Sequence, residues 1–234
     1  MIDWLPEEKP PSFPSTRLAK TDPNGLLAAG GRLTPNWLVT SYRRGIFPWF
    51  DDESPILWWS PAPRMILNAA DFHISRSLRK LMKKPPFRIT CNQAFDEVIY
   101  QCALPRDDHD QAGTWITEDM EQAYIQLNRN GISHSVECWD DTGNLVGGLY
   151  GLLIDRVFFG ESMFNKTNNG SKLAFAFFAQ YLFNNGIQFI DCQMHTEHMA
   201  NFGAKEIKRE LFENKLKDAL NMHFKLTLPV LLTP

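Results

Sequence analysis

Residues 132–193 impose the strongest constraint on the fold. Ile132–Trp139 alternates apolar and polar side chains, DDTGN makes a turn, and Leu145–Ile154 and Arg156–Glu161 return as further strands. Ser171–Asn185 then carries Leu173, Phe177, Phe178, Tyr181 and Leu182 at helical spacing, with Gly186 as its stop, and Ile187–Gln193 reads as a buried strand. Three strands, a helix and a strand in this order predict α+β or α/β layers with a crossover helix. Upstream, helices are predicted from Pro35, with Thr34 as cap, to near Gly45, from a Ser75 cap to before Pro85, over Asn92–Leu104 and over Thr117–Asn130; downstream, over Lys208–Met222. Short strands are expected at Ile56–Ser60 and Arg64–Asn68, and the proline-rich residues 1–24 read as irregular. A composition shift near residue 62 predicts a small N-terminal domain, 1–62, and a larger C-terminal domain, 63–234.

The stretch GIFPWFDDESPILWWSPAPR, residues 45–64, poses a different problem. It crowds Phe47, Trp49, Phe50, Trp58 and Trp59 among Pro48, Pro55, Pro61 and Pro63, so it cannot be one regular element. Either its rings form core between domains, or some of them face a ligand.

Charge excludes some functions. With 24 basic and 27 acidic residues, a net charge of −3 and a pI near 6.1, the chain does not bind nucleic acid over its whole surface. HISRSLRKLMKKPPFR, 73–88, is nevertheless free of acids and holds Arg76, Arg79, Lys80, Lys83, Lys84 and Arg88. On a helix Arg76, Lys80 and Lys84 share one face, either a solvated face or a set of phosphate contacts. Cys91, Cys102, Cys138 and Cys192 form no C-x-x-C pair, so neither a zinc site nor a redox motif is expected. MIDWLPEEKPP is not a secretory signal and no apolar run spans a membrane, which predicts a cytoplasmic protein with reduced thiols.

Familiar catalytic motifs fail in turn. Gly160, Asn165, Lys166 and Thr167 nearly spell a phosphate loop, but asparagine replaces its second glycine. His195 and His198 do not match a zinc-protease pattern, and Ser162 lacks the second glycine of a nucleophile elbow. What remains is Asp191 and Gln193 on one strand, expected to share a face, with Glu161 ending the neighbouring strand. A carboxylate and an amide side by side can accept a proton and orient a nucleophile; a second carboxylate nearby favours an amine ligand.

In order along the chain, PNGLLAAGGRL (23–33), YRRGIFPWF (42–50), ILWWSPAPR (56–64), HISRSLRK (73–80), GTWIT (113–117), GGLYG (147–151), FGESMF (159–164), SKLAF (171–175), IDCQ (190–193) and FGAKEI (202–207) resemble the leucyl/phenylalanyl-tRNA–protein transferases of bacteria. That resemblance implies transfer of leucine or phenylalanine from charged tRNA to the N-terminal α-amine of proteins beginning with Arg or Lys, which marks them for degradation. It implies a C-terminal domain like the Gcn5-related acetyltransferases, and no metal or other cofactor. It makes Asp191 and Gln193 the catalytic pair. Leu149, Phe158, Gly160, Met163, Phe178 and Ile190 become the aminoacyl pocket with Glu161 at its edge, and Leu149 stands where methionine is expected. It assigns Trp49 and Trp115 to the terminal adenosine of tRNA, while Trp58, Trp59 and Phe47 are expected to be core between the domains. Arg76, Arg79, Lys80, Lys83 and Lys84 would take the tRNA backbone, and a monomer is expected. An acyl-CoA-dependent acetyltransferase is the competing reading, but no pyrophosphate loop precedes Ser171. A noncatalytic RNA-binding module is a third.

Overall fold

The computed structural model describes residues 2–105, 116–220 and 223–232 of the chain. The first part alternates short strands with one helix: β1 (Asp3–Leu5), β2 (Leu26–Gly30), α1 (Pro35–Tyr42), β3 (Phe47–Pro48) and β4 (Leu57–Trp59). These strands form a four-stranded sheet in the order β1-β2-β4-β3. Residues 1–24 are therefore less irregular than expected, since β1 pairs in parallel with β2 and a 3-10 turn covers Thr16–Leu18. Strand β2, LLAAG, is buried along its whole length, so it shows no alternation to read. β3 lies at the edge of its sheet, where Pro48, which has no N–H, is tolerated.

From Arg64 onward the chain builds a second layer. Its elements are β5 (Arg64–Asn68), α2 (Arg76–Met82), β6 (Arg88–Cys91), α3 (Phe95–Ala103), α4 (Glu118–Arg129), β7 (Ser133–Trp139), β8 (Leu145–Ile154), β9 (Val157–Asn165), α5 (Gly170–Asn184), β10 (Phe189–Gln193), α6 (Glu197–Ala200), β11 (Lys205–Ile207), α7 (Arg209–Leu220) and β12 (Leu231–Leu232). An eight-stranded sheet runs β11-β5-β10-β9-β8-β7-β6-β12. β9 and β10 pair in parallel and α5 is the crossover between them, as the strand–helix–strand order requires. The architecture is mixed α+β.

Local chemistry explains the boundaries. Thr117 caps α4 by accepting the Met120 N–H, and Glu118 and Asp119 sit in its positive first turn. α3 starts at Phe95, later than the expected Asn92, and the buried Glu137 of β7 accepts the N–H groups of Gln93 and Ala94 just ahead of it. Ser75 caps α2 as expected, yet the helix ends at Met82, ahead of the Pro85–Pro86 pair. Lys84 thus lies beyond the helix, which corrects the reading of Arg76, Lys80 and Lys84 as one helical face.

Two apolar layers lie on opposite faces of the large sheet. Under α5, Leu149, Phe158, Phe178 and Ile190 pack with Leu173 and Leu182. On the other face Trp37, Phe47 and Trp58 from the small sheet's side share one core with Tyr124, Phe159 and Phe212. A fully buried side chain of this size contributes about 1.5–3 kcal/mol, so the two sheets are held by a continuous apolar contact. Trp58 is wholly buried, its Nε1 donating to the Gly30 carbonyl at 2.8 Å, and Phe47 is buried beside it.

Candidate active site

Two irregularities in neighbouring strands define the site. In β9 the register against β8 shifts between Gly160 and Ser162, leaving Glu161 as an extra residue. In β10 the register against β5 shifts between Asp191 and Gln193, and Gln193 takes a φ of 63°. A bulge bends its strand and re-aims a side chain. β9 and β10 pair only as far as Phe159 and Asp191, although both continue beyond that point. The strands part there, and Gln193 crosses the gap: its Nε2 donates to Glu161 Oε1 at 2.8 Å. Such a crevice at the carboxyl ends of parallel strands is where α/β sheets hold ligands.

The polar chain continues on both sides of that bridge. Tyr124 donates to Glu161 Oε2 at 3.0 Å, and its oxygen is paired with the hydroxyl of Tyr42 on α1. Asp191 is fully buried, and Arg64 grips it with Nε and Nη2 at 2.8 and 2.7 Å. The same carboxylate accepts the backbone N–H of Gln193 at 3.0 Å. Five elements, α1, α4, β9, β10 and β5, thus contribute to one line of hydrogen bonds.

This geometry revises two expectations. Asp191 and Gln193 were expected to present their side chains side by side on a straight strand; the bulge instead ties Asp191 to the Gln193 backbone and frees the amide to reach β9. Glu161 does not end its strand, which runs on to Asn165; it is the bulged residue within it. Burial pushes its carboxyl up to about 8, against the pull of hydrogen bonds from Tyr42, Tyr124 and Gln193, and the Asp191 charge adds to the rise. Desolvation therefore wins at a site that keeps access to the surface, a combination found at catalytic carboxyls. Burial likewise raises the tyrosines, Tyr42 and Tyr124, well above the ordinary phenol value, so both remain donors.

The apolar residues belong to the core on the α5 side, where Leu149, Phe158, Phe178 and Ile190 are buried and Met163 is partly so. Leu149 lies opposite Met163, and Ile190 opposite Phe158, while Phe158 and Phe178 meet edge-on at 4.9 Å. Gly160 stands at the gap itself. A Cβ there would meet only the Asp191 carbonyl oxygen, at 3.6 Å, whereas one at Gly148 or Gly151 would strike neighbouring backbone at 2.8 or 2.1 Å. Gly160 therefore leaves room, and Gly148 and Gly151 do not.

The remaining residues lie outside this cluster. Trp49 is 38% exposed and meets Trp59 edge-on, with the Trp59 Nε1 holding its carbonyl at 2.6 Å. Trp115 lies outside the described residues. Arg76, Arg79, Lys80, Lys83 and Lys84 are all exposed on and after α2. A separate depression of about 440 Å³ is lined by Arg43, Arg44, Glu213 and Lys217. Its arginines are already occupied by Asp155 and by the carbonyls of Phe13 and Pro14. Sequence patterns alone did not point to Arg64, Tyr42 or Tyr124. Arg64 opens strand RMILN directly ahead of three apolar residues, and that placement was the one available signal. Among the described residues no cluster of His, Cys, Asp and Glu could hold a metal, and no helix is long and apolar enough to cross a membrane.

Comparison with known proteins identifies the family. A family model described as leucyl/phenylalanyl-tRNA protein transferase matches residues 66–217, and one for the N-terminal domain of the same transferase matches residues 31–62. The leucyl/phenylalanyl-tRNA–protein transferase of Saccharophagus degradans is 54% identical over 89% of this chain and 84% of its own length. That of Pseudomonas fluorescens is 52% identical over 92% of this chain and 94% of its own length. The structure of L-PGS from Bacillus licheniformis overlaps 82% of this chain and 64% of its own at a TM-score of 0.42 and 10% identity. With both its large sheet and its aromatic N-terminal segment matched, the chain belongs to the leucyl/phenylalanyl-tRNA protein transferase family and is an aminoacyl-tRNA–protein transferase.

Proposed function

We propose that the enzyme moves leucine or phenylalanine from Leu-tRNA or Phe-tRNA to the N-terminal α-amine of cytoplasmic proteins that begin with Arg or Lys, marking them for degradation. One observation carries this reading: the Glu161–Gln193 bridge spans a gap between strands whose α5 side is apolar and whose edge, at Gly160, is left open. Phe or Leu would occupy the apolar side, formed by Leu149, Phe158, Gly160, Met163, Phe178 and Ile190, and its ester carbonyl would face the bridge.

The chemistry follows from the groups present. The ester is already activated, so attack by the amine forms the amide C–N bond and releases the ribose oxygen, which takes up a proton. An N-terminal amine titrates at about 7.7–8.0. Glu161, raised to about 8, is matched to it, so a proton passes from the ammonium to the carboxylate with little change in free energy. Gln193 orients the amine, and Asp191 holds Gln193 through its backbone. Direct attack needs no covalent enzyme intermediate. Burial also pushes up the thiols of Cys91, Cys138 and Cys192, which makes them poor nucleophiles.

On this reading Trp49, together with Trp115, stacks on the terminal adenosine, an interaction worth about 1–3 kcal/mol and indifferent to the tRNA's identity. Arg76, Arg79, Lys80, Lys83 and Lys84 take the acceptor-stem phosphates. The parallel β9–β10 pair that parts after α5 supports a Gcn5-related core for a catalytic domain over 63–234, with 1–62 as the smaller domain and the monomer as the working unit.

Incubating the protein with Phe-tRNA and an Arg-headed peptide, without ATP, should add one phenylalanine to the peptide by mass; an unchanged peptide ends this reading. Gly160→Val should keep the melting temperature close to wild type while lowering Phe transfer at least tenfold, because the added methyl groups enter substrate space rather than protein. Lys80→Glu with Lys84→Glu should weaken tRNA binding and lower its salt slope by about one for each phosphate no longer neutralised, read from binding isotherms at several salt concentrations.

A further inference from the structure

Resting on that reading, we propose that Arg64 is a positioning residue: through Asp191 it fixes the Gln193 bulge, and through Phe47 it ties that bulge to the segment that presents Trp49.

Arg64 is buried to 1% exposure and directs two of its three nitrogens at Asp191, while Nη1 has no hydrogen-bond partner among the described residues. Its guanidinium carbon lies 4.8 Å from the ring centre of Phe47 and 4.7 Å from that of Phe212. Stability alone is a weak reason for this arrangement. A buried ion pair is often matched or exceeded by apolar residues of the same volume, and the unpartnered nitrogen adds a desolvation penalty. Geometry is the better reason. The planar fork fixes the Asp191 carboxylate in one orientation, and that orientation places Oδ1 on the Gln193 N–H. Gln193 adopts a left-handed backbone, which is unfavourable for a residue with a side chain and persists only when its surroundings hold it. The Asp191 hydrogen bond is that hold, and it aims the Gln193 amide at Glu161.

The second half concerns the partner ring. Phe47 stands two residues before Trp49 on the edge of the small sheet, and Trp49 is fastened there by its N–H to the Leu57 carbonyl. Phe212 comes from α7. The same side chain that orders the catalytic strand therefore also rests against the segment carrying the exposed indole. Displacing Phe47 displaces one wall of the guanidinium's site.

The test separates kcat from KM. Arg64→Lys keeps the charge and loses the fork and the planar face. Its kcat for Phe transfer should fall about 100-fold per folded molecule, as expected for a small misplacement of the reacting groups, with KM for Phe-tRNA and for peptide within about twofold. Phe47→Leu retains apolar volume and should lower kcat about tenfold in the same way, with the double variant no worse than Arg64→Lys alone. Wild-type kcat in either single variant, or losses that multiply in the double, overturns the proposal. Should Arg64→Lys fail to fold, Phe47→Leu decides by the same split. Wild-type protein in the same assay keeps the two failures apart: no transfer by wild type defeats the function, whereas an active wild type beside a fully active Phe47→Leu variant defeats only the role of Arg64.

Discussion

Asp191→Ala should destabilise the protein by about 3–5 kcal/mol in denaturant unfolding and should lower transfer by more than it lowers tRNA binding. Removing the carboxylate leaves the buried Arg64 guanidinium between two aromatic rings without its counter-ion, which is the most unfavourable way to break a buried pair. The same change releases the Gln193 N–H, so the bulge loses its local restraint. Asp191→Asn keeps the shape and one acceptor and should fall between wild type and Ala on both scales. A stability loss below about 1 kcal/mol would mean that Arg64 finds water or another acceptor. Equal losses of transfer and of tRNA affinity per folded molecule would leave Asp191 without a part in the chemistry.

Glu161→Gln should lower kcat by about 100-fold or more, the usual contribution of a positioned general base. It should also remove the rise of kcat with pH toward about 8, because the amide has no proton to lose over that range. The effect on stability has the opposite sign. The folded-state value of Glu161, about 8, lies above the ordinary carboxyl value of about 4.3, so the native state holds the proton more tightly than the unfolded chain. Its contribution is complete below the ordinary value and is lost as pH rises through 8. Wild type should therefore lose stability on the order of 2 kcal/mol between pH 5 and 9 from this group, with allowance made for its partial exposure. Glu161→Gln should not, and should be the more stable protein at pH 9. Parallel stability curves for the two proteins from pH 5 to 9 would show that Glu161 titrates normally.

Much of this arrangement was legible in the sequence, and what was hidden has a physical pattern. β8 matches its predicted span from Leu145 to Ile154, and Thr117 caps α4 as its side chain and following acids announce. These rest on local rules. The small sheet was partly invisible because β2 is buried throughout and β3 is two residues long, so neither shows a period. α2 stops at Met82, short of Lys84, although the basic pattern runs on. In the site, Asp191, Gln193 and Glu161 stand out in the sequence as residue types. The bulges that bring two of them together do not, since a register shift depends on the partner strand. Arg64, Tyr42 and Tyr124 join through contacts 37 to 127 residues apart in sequence, and no local window contains such a pair.

Pro48 has one further consequence. The outer strand of the small sheet offers a second copy of the chain a row of main-chain groups to pair with, and a half-bared indole next to it would strengthen that encounter with apolar contact. Because proline supplies a carbonyl but no amide hydrogen, the ladder cannot be extended through that position. An exposed indole can thus stand on a sheet margin without nucleating aggregation of the chain there.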